Sequence, residues 1–294
     1  MYSPAQEQTK QTFAFKWKKR DTYESNVVSD LTKKWLQERY ALPGITFEDL
    51  IKNKTILDAG CGSGVSSLLL FGDFLNQCRY IGVDISDAIE VALERFTEKK
   101  IKGEFLQADL LNIPEEFGSF DIIFSEGVLH HTDSTEKAIR TLAKRIREGG
   151  YFMFYVYNKK GPLREFTDDF IRDRLSTLND EEAWEELVSL SKLGKSLGEL
   201  NVEINIEEPV GLLGIPAGKI NLQRLFYWHI FKCFYRPEWG IEEMNHVNFD
   251  WYRPQNCHRQ TPEEVKSWVE ASGLKIHKMD VQEAGITVVS QKEQ

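Results

Sequence analysis

The stretch TILDAGCGSGVSSLLL, residues 55–70, puts three glycines into five positions directly after an acid that closes a short apolar run. Apolar run, bare backbone and a second apolar run make a strand–turn–helix unit whose main chain a ligand can approach closely. Gly60, Gly62 and Gly64 spell G-x-G-x-G, and Val65 stands where a dinucleotide fingerprint would carry its last glycine. Asp58 discriminates further. A carboxylate beside the turn repels a pyrophosphate and attracts an ammonium, by about 4 kcal/mol for unit charges about 4 Å apart at an effective dielectric near 20.

The flanking pattern extends this unit into a sheet. Residues 55–58, 79–84, 104–109, 120–125 and 151–157 read as strands. A helix is expected near Val65, a second capped by Asp87 with Glu90, and a third opened by Asp133 and Glu136 and closed by Gly149-Gly150. That third helix places Ile139, Leu142, Ala143 and Ile146 on one face. Alternating strands and helices at this spacing predict βαβ units in an α/β, doubly wound, mostly parallel sheet. Such sheets bind ligands at the carboxyl ends of their strands. Asp58, Asp84, Asp109 and Ser125 all fall at those ends, so they are expected to line one crevice.

S-adenosylmethionine suits that crevice, having an ammonium, no phosphate and two ribose hydroxyls. Asp58 is expected at the ammonium and Asp84, twenty residues past Gly64, at the ribose. Asp109 is placed for the adenine amine, with Ala108 and Leu110 alongside. Cys61, Ser63, Ile85, Ser125 and Gly127 complete the expected cofactor contacts.

At these residues the chain resembles the class I S-adenosylmethionine-dependent methyltransferases: LDAGCGSG matches their glycine motif, GVD their ribose acid, QADLLNIP their adenine-side segment and FDIIFSEGVLHHT their fourth-strand motif. The resemblance covers residues 50–158 closely and 261–290 in outline. It implies a Rossmann-like seven-stranded sheet with one antiparallel strand, S-adenosylmethionine as cofactor with S-adenosylhomocysteine as product, and a cap shaping the acceptor pocket. Amine methylation of nucleic-acid bases in such enzymes usually goes with an Asn/Asp-Pro-Pro-aromatic motif; here that place reads Ser125-Glu126-Gly127-Val128.

Methyl transfer needs an acceptor held in line and, for a hydroxyl or ammonium, a base. His131, His130 and Glu126, just past the fourth strand, are the candidate catalytic groups; packing under the sheet is the structural alternative for a histidine, and a contact with the donor or a loop amide for Glu126. Residues 160–260 break the alternation and read as a mostly helical cap insertion. Ten of the 27 residues from Phe226 to Tyr252 are aromatic, enough to build a core and to line an apolar or cationic acceptor's pocket. Residues 181–193 read as a solvated amphipathic helix. Tyr252, Arg253 and His258 are candidate acceptor contacts, as is Trp17 in an N-terminal extension, residues 1–53, expected to act as a flap. Residues 54–159 form the donor-binding part. Residues 261–294 complete the sheet with a helix capped by Thr261, Pro262 and Glu264 and an antiparallel strand pair.

The 294 residues carry a net charge of -9, which disfavours a polyanionic partner. Cys61, Cys78, Cys233 and Cys257 have no metal-ligand spacing, so free thiols and no metal site are expected. The polar start predicts no secretory leader, and no run of 18 apolar residues predicts a transmembrane segment. The expectation is a cytoplasmic methyltransferase acting on O, N or C of a small-molecule acceptor, a sugar or secondary-metabolite intermediate among them, with a homodimer as the assembly to test. The alternatives are a non-catalytic S-adenosylmethionine-binding module and a nicotinamide-dependent oxidoreductase, the latter opposed by Asp58 and the missing glycine.

Overall fold

The computed structural model describes residues 2–293, which form two compact units. The first comprises residues 1–18, 29–158 and 258–294; the second comprises residues 19–28 and 159–257. The segment ahead of the glycine turn is therefore shared between them.

Three helices precede the first strand: α1 (Pro4–Lys18), α2 (Asn26–Tyr40) and α3 (Phe47–Ile51). The sheet of the first unit then assembles from β1 (Thr55–Ala59), β2 (Arg79–Asp84), β3 (Glu104–Gln107), β4 (Phe120–Glu126) and β5 (Ile146–Tyr157), joined by α4 (Val65–Phe71), α5 (Ala88–Glu98) and α6 (Thr135–Ala143). The second unit contributes α7 (Pro162–Leu175), α8 (Asp180–Leu200), the hairpin β6 (Glu203–Ile206) and β7 (Gly218–Asn221), α9 (Leu222–Leu225) and α10 (Ile241–Tyr252). The chain closes with α11 (Pro262–Glu270), β8 (Leu274–Val281) and β9 (Gly285–Lys292).

The seven strands lie in the order β3-β2-β1-β4-β5-β9-β8. The first five run parallel, and β9 pairs antiparallel with both β5 and β8. This is the seven-stranded, Rossmann-like sheet with one reversed strand that the motifs implied. Strand order reverses at β1, between β2 and β4, which makes the crevice at its carboxyl end the expected binding edge. Both faces are apolar, as a parallel sheet requires. Leu57, Ala59, Ile123 and Phe154 point into one core, and Ile56, Ile122, Phe124 and Met153 into the other.

Four local expectations change. Asp87 makes no side-chain cap; its carboxylate pairs with Lys18 Nζ at 2.8 Å. Ser134, not Asp133, caps α6 by accepting from Lys137 N. That helix stops at Ala143, and Gly149-Gly150 lies inside β5. Gly149 has φ +72°, and a side chain on Gly150 would meet Asp121 O at 2.8 Å, so this pair serves a break in the β4–β5 register. Finally, β3 stops at Gln107, because Asp109 turns to accept from Leu111 N and Asn112 Nδ2. The Thr261 capping box forms as expected.

The second unit is mostly helical. α8 is longer than expected and is not solvated all round, since Ala183, Trp184, Leu187 and Ser191 bury one face. Trp184 packs on Phe249 and Phe234 on Trp239, with ring centroids 5.1 and 5.2 Å apart. Within this apolar packing Ser191, Asn245 and Asn248 satisfy one another and the main chain.

Candidate functional site

The glycine turn joins β1 to α4, with Gly60, Gly62 and Gly64 at φ +87°, +50° and +72°. A side chain is excluded twice over: L-residues avoid this region, and a Cβ on Gly60 would lie 2.2 Å from Val128 Cγ1. Gly60 N and Cys61 N both donate to Val83 O on the neighbouring strand. Gly62 N donates to Asp84 Oδ2 at 2.9 Å, while Asp84 Oδ1 accepts from the amide and hydroxyl of Ser86. The ribose acid of the sequence reading thus also clamps the turn. Ser63 is held through Arg95, which donates to its carbonyl and hydroxyl.

Asp58 is 3% exposed. Its Oδ2 accepts from Ser67 Oγ at 2.6 Å and Tyr80 OH at 2.7 Å. Among the described residues its Oδ1 accepts no hydrogen bond. Burial pushes its pKa from the ordinary 3.8 up to about 6, against the two hydroxyl bonds that favour the ion. Burial raises Asp84 too, against its bonds from Ser86 and Gly62. A turn flanked by two desolvated carboxylates is set for a cation and a diol, and a pyrophosphate would meet repulsion from both.

Farther along the edge, Gln107 Nε2 donates to Ile85 O, and Ala108 N to Asp84 O. Leu110 is buried at the start of the short turn that Asp109 caps. Ser125 Oγ donates to Ala59 O, tying β4 to β1 beside the glycines. Gly127 turns the chain out of β4 with φ +72° and nothing within 4 Å of a built Cβ.

The candidate catalytic groups separate. Both oxygens of Glu126 are committed, Oε1 to Arg39 and Oε2 to Tyr40 OH. The guanidinium in turn stacks over the Tyr155 ring. Burial alone lowers the Arg39 pKa, and Glu126, with Tyr155 and Tyr40, more than reverses this, so the guanidinium stays charged. A carboxylate held this way anchors α2 and is a poor base. His130 is fully buried, its ring 3.7 Å from that of Tyr157. His131 lies beside it, with Phe13 of α1 edge-on at 4.9 Å.

The extension over residues 1–53, read as a flap from sequence, begins with helix α1. The helix runs over the strand-end edge of its own unit with Gln6, Thr9, Thr12 and Lys16 buried, a polar stripe at helical spacing. Trp17 lies against the turn, its Nε1 2.6 Å from where a Gly62 Cβ would sit. Gln6 Nε2 donates to His131 O, and Lys16 Nζ stands over the Trp17 ring at 4.1 Å.

The remaining acceptor candidates divide between the two units. Tyr252 is buried in the second unit and donates to Asp168 Oδ1 at 2.7 Å. Arg253 is fixed by Asp180 and Leu178 O at the entrance to α8. His258 belongs to the first unit, where its amide donates to His130 O and its side chain is exposed. All four cysteines are free thiols, and no group of His, Cys, Asp or Glu among the described residues could hold a metal. No helix among them is long and apolar enough to cross a membrane.

Sequence reasoning missed Ser67 and Tyr80 as partners of Asp58, and Arg39 and Tyr40 as partners of Glu126. Ser67, in the first turn of the helix after the glycines, carried a signal; Arg39 lies 87 residues from Glu126 and carried none.

Residues 50–204 match the family model of a methyltransferase domain. The chain belongs to this methyltransferase family. S-adenosylmethionine is the donor of the class. The chain is 27% identical over 162 residues to phosphoethanolamine N-methyltransferase 1 of Arabidopsis thaliana, covering 54% of this chain and 30% of that one. It is 30% identical over 118 residues to the tRNA U34 carboxymethyltransferase of Saccharophagus degradans, covering 39% and 36%. The chain thus spans about a third of the length of these two relatives. Magnesium protoporphyrin IX methyltransferase from Synechocystis, solved with bound S-adenosylhomocysteine, superposes with a TM-score of 0.51 at 13% identity, over 98% of this methyltransferase and 100% of that chain. That likeness is one of fold.

Proposed function

We propose that the chain transfers the methyl group of S-adenosylmethionine to oxygen, nitrogen or carbon of a small or medium metabolite. The carrying observation is α1. A strand-end edge roofed within its own unit by Trp17 on the glycine turn and Phe13 on His131 suits an acceptor that can be enclosed. The chain's net charge of -9 argues in the same direction, against a polynucleotide.

In this reading Asp58 Oδ1 takes the donor's ammonium, Asp84 the ribose hydroxyls and the segment from Ala108 to Leu110 the adenine, with Cys61, Ser63, Ile85, Ser125 and Gly127 shaping the cradle. The bound donor supplies an electrophilic methyl group on a sulfonium. The chain's own residues bind, orient and exclude water. His131, beside the α1 roof, is the group we assign to the acceptor side, and His130 supports it from beneath against Tyr157. Glu126 instead positions α2 through Arg39 and Tyr40.

Thermal denaturation with S-adenosylhomocysteine and with NAD tests the donor assignment; stabilisation by the first and not the second is expected, and the reverse overturns it. Turnover with an N- or O-nucleophilic metabolite, and none with transfer RNA, is expected under the enclosed-acceptor reading. Methyl incorporation into transfer RNA alone refutes it.

A further inference from the structure

Two buried hydroxyls converge on Asp58 from different elements of the first unit. Ser67, in the first turn of α4, donates to Asp58 Oδ2 at 2.6 Å, and Tyr80 of β2 donates to the same oxygen at 2.7 Å. Ser67 is fully buried and Tyr80 is 2% exposed. Packing holds the Tyr80 ring in place: it stacks on Phe96 at 4.8 Å and meets Phe105 at 5.9 Å. Phe96 in turn fills the space that a Gly64 side chain would need, so the hydroxyl is fixed relative to the glycine turn. Two donors on one oxygen stop the carboxylate from rotating. The other oxygen, Oδ1, accepts no hydrogen bond among the described residues. A half-satisfied buried carboxylate is worse for stability than hydrocarbon in the same place, so stability alone does not account for the arrangement.

We propose that Ser67 and Tyr80 are positioning residues for the methyl donor, holding the Asp58 carboxylate by one oxygen so that the other is presented to the donor's ammonium. The proposal rests on the assignment of Asp58 to that ammonium and goes beyond it, because it makes the alignment and the charge of that carboxylate depend on two other side chains.

The surrounding charges decide what the hydroxyls are worth. Burial drives the Asp58 pKa up to about 6, and Asp84 of β2 and Glu126 of β4 push the same way; the bonds from Ser67 and Tyr80 oppose all three. Glu126 is paired with Arg39 of α2. The Cys61 thiol of the turn is raised by burial, Asp58 and Asp84, and stays neutral. Helix α1 brings the Lys16 amine over the Trp17 ring, on the same turn. Each hydroxyl bond favours the ionised carboxylate, so deleting one raises the Asp58 pKa further, toward neutrality. A neutral acid has no charge to offer an ammonium. Donor affinity therefore rises with pH through the Asp58 pKa and levels off above it, and loss of a hydroxyl moves that rise to higher pH.

Calorimetry of the full chain with S-adenosylhomocysteine between about pH 5 and 8.5 reads the midpoint. In the unmodified chain the affinity is expected to rise about tenfold from about pH 5 to 7.5, with its midpoint at about 6. Tyr80→Phe and Ser67→Ala are each expected to move the midpoint up by about one pH unit, which weakens binding about fivefold at about pH 6 and restores most of it at about pH 8.5. Titration of the ligand itself is common to all variants and cancels in the comparison. A lesion of packing alone would weaken binding equally at every pH. An unmoved midpoint, or a uniform loss across pH, in a folded Tyr80→Phe or Ser67→Ala overturns the role of that residue and leaves Asp58 at the ammonium. Asp58→Asn is expected to bind weakly with no pH dependence in this range; wild-type affinity in that variant overturns the ammonium assignment and the proposal with it. A flat profile in the unmodified chain overturns the proposal without any variant having to fold.

Discussion

Asp58→Asn is expected to make the protein more stable and a worse binder of its donor. The rise of the carboxyl from the ordinary 3.8 to about 6 is caused by burial. At about 1.4 kcal/mol for each tenfold change in proton affinity, keeping it ionised costs the folded state about 3 kcal/mol. The sign follows from proton uptake. Between about pH 4 and 6 the folded chain binds a proton that the unfolded chain has released, so stability falls as pH rises through that window. Asparagine has no charge to desolvate and retains an oxygen for Ser67 and Tyr80. Allowing about 1 kcal/mol for weaker, uncharged hydrogen bonds, the variant should gain about 1–2 kcal/mol at about pH 8 and nothing at about pH 4. Its affinity for S-adenosylhomocysteine should drop about 10–100-fold, because the ammonium loses its counter-charge. Urea denaturation at both pH values, paired with calorimetry, reads the two effects separately. A variant less stable than wild type at both pH values would refute the burial argument. Donor affinity within about twofold of wild type would refute the ammonium assignment.

Glu126→Gln should leave the Arg39 guanidinium buried without its partner and cost about 2–4 kcal/mol of unfolding free energy; a loss of turnover with unchanged urea stability would instead make Glu126 a base. Asp84→Ala removes both the ribose acceptor and the clamp on Gly62 N, and calorimetry should show donor binding weakened by about 1–3 kcal/mol. His131→Gln should lower kcat by about 10²-fold or more with donor affinity unchanged, and an unaltered kcat would remove His131 from the acceptor side.

The binding edge was legible because chemistry and topology coincide there: each apolar run ends in Asp58, Asp84 or Ser125, and a parallel sheet brings those ends together. The reversed strand β9 was legible in its own residues as half of a final antiparallel pair, and its place in a seven-stranded sheet came through family resemblance. The α6–β5 boundary was not, because Gly149-Gly150 looks the same as a helix stop and as a strand irregularity. Pairings between distant segments were beyond reach for a physical reason. Asp168 on α7 meets Lys232 and Tyr252, 64 and 84 residues away, and only the packing of α7 against α10 and the segment before it brings them together. The aromatic run from Phe226 to Tyr252 announced a core and concealed the cations around Trp251.

Helix α1 meets the strand-end edge through a buried stripe of amides, hydroxyls and one amine, Gln6, Thr9, Thr12 and Lys16, beside the rings of Phe13 and Trp17. Leucines in the stripe would fasten the segment by apolar area alone, which tolerates sliding, whereas polar groups hold it only in the register that satisfies them.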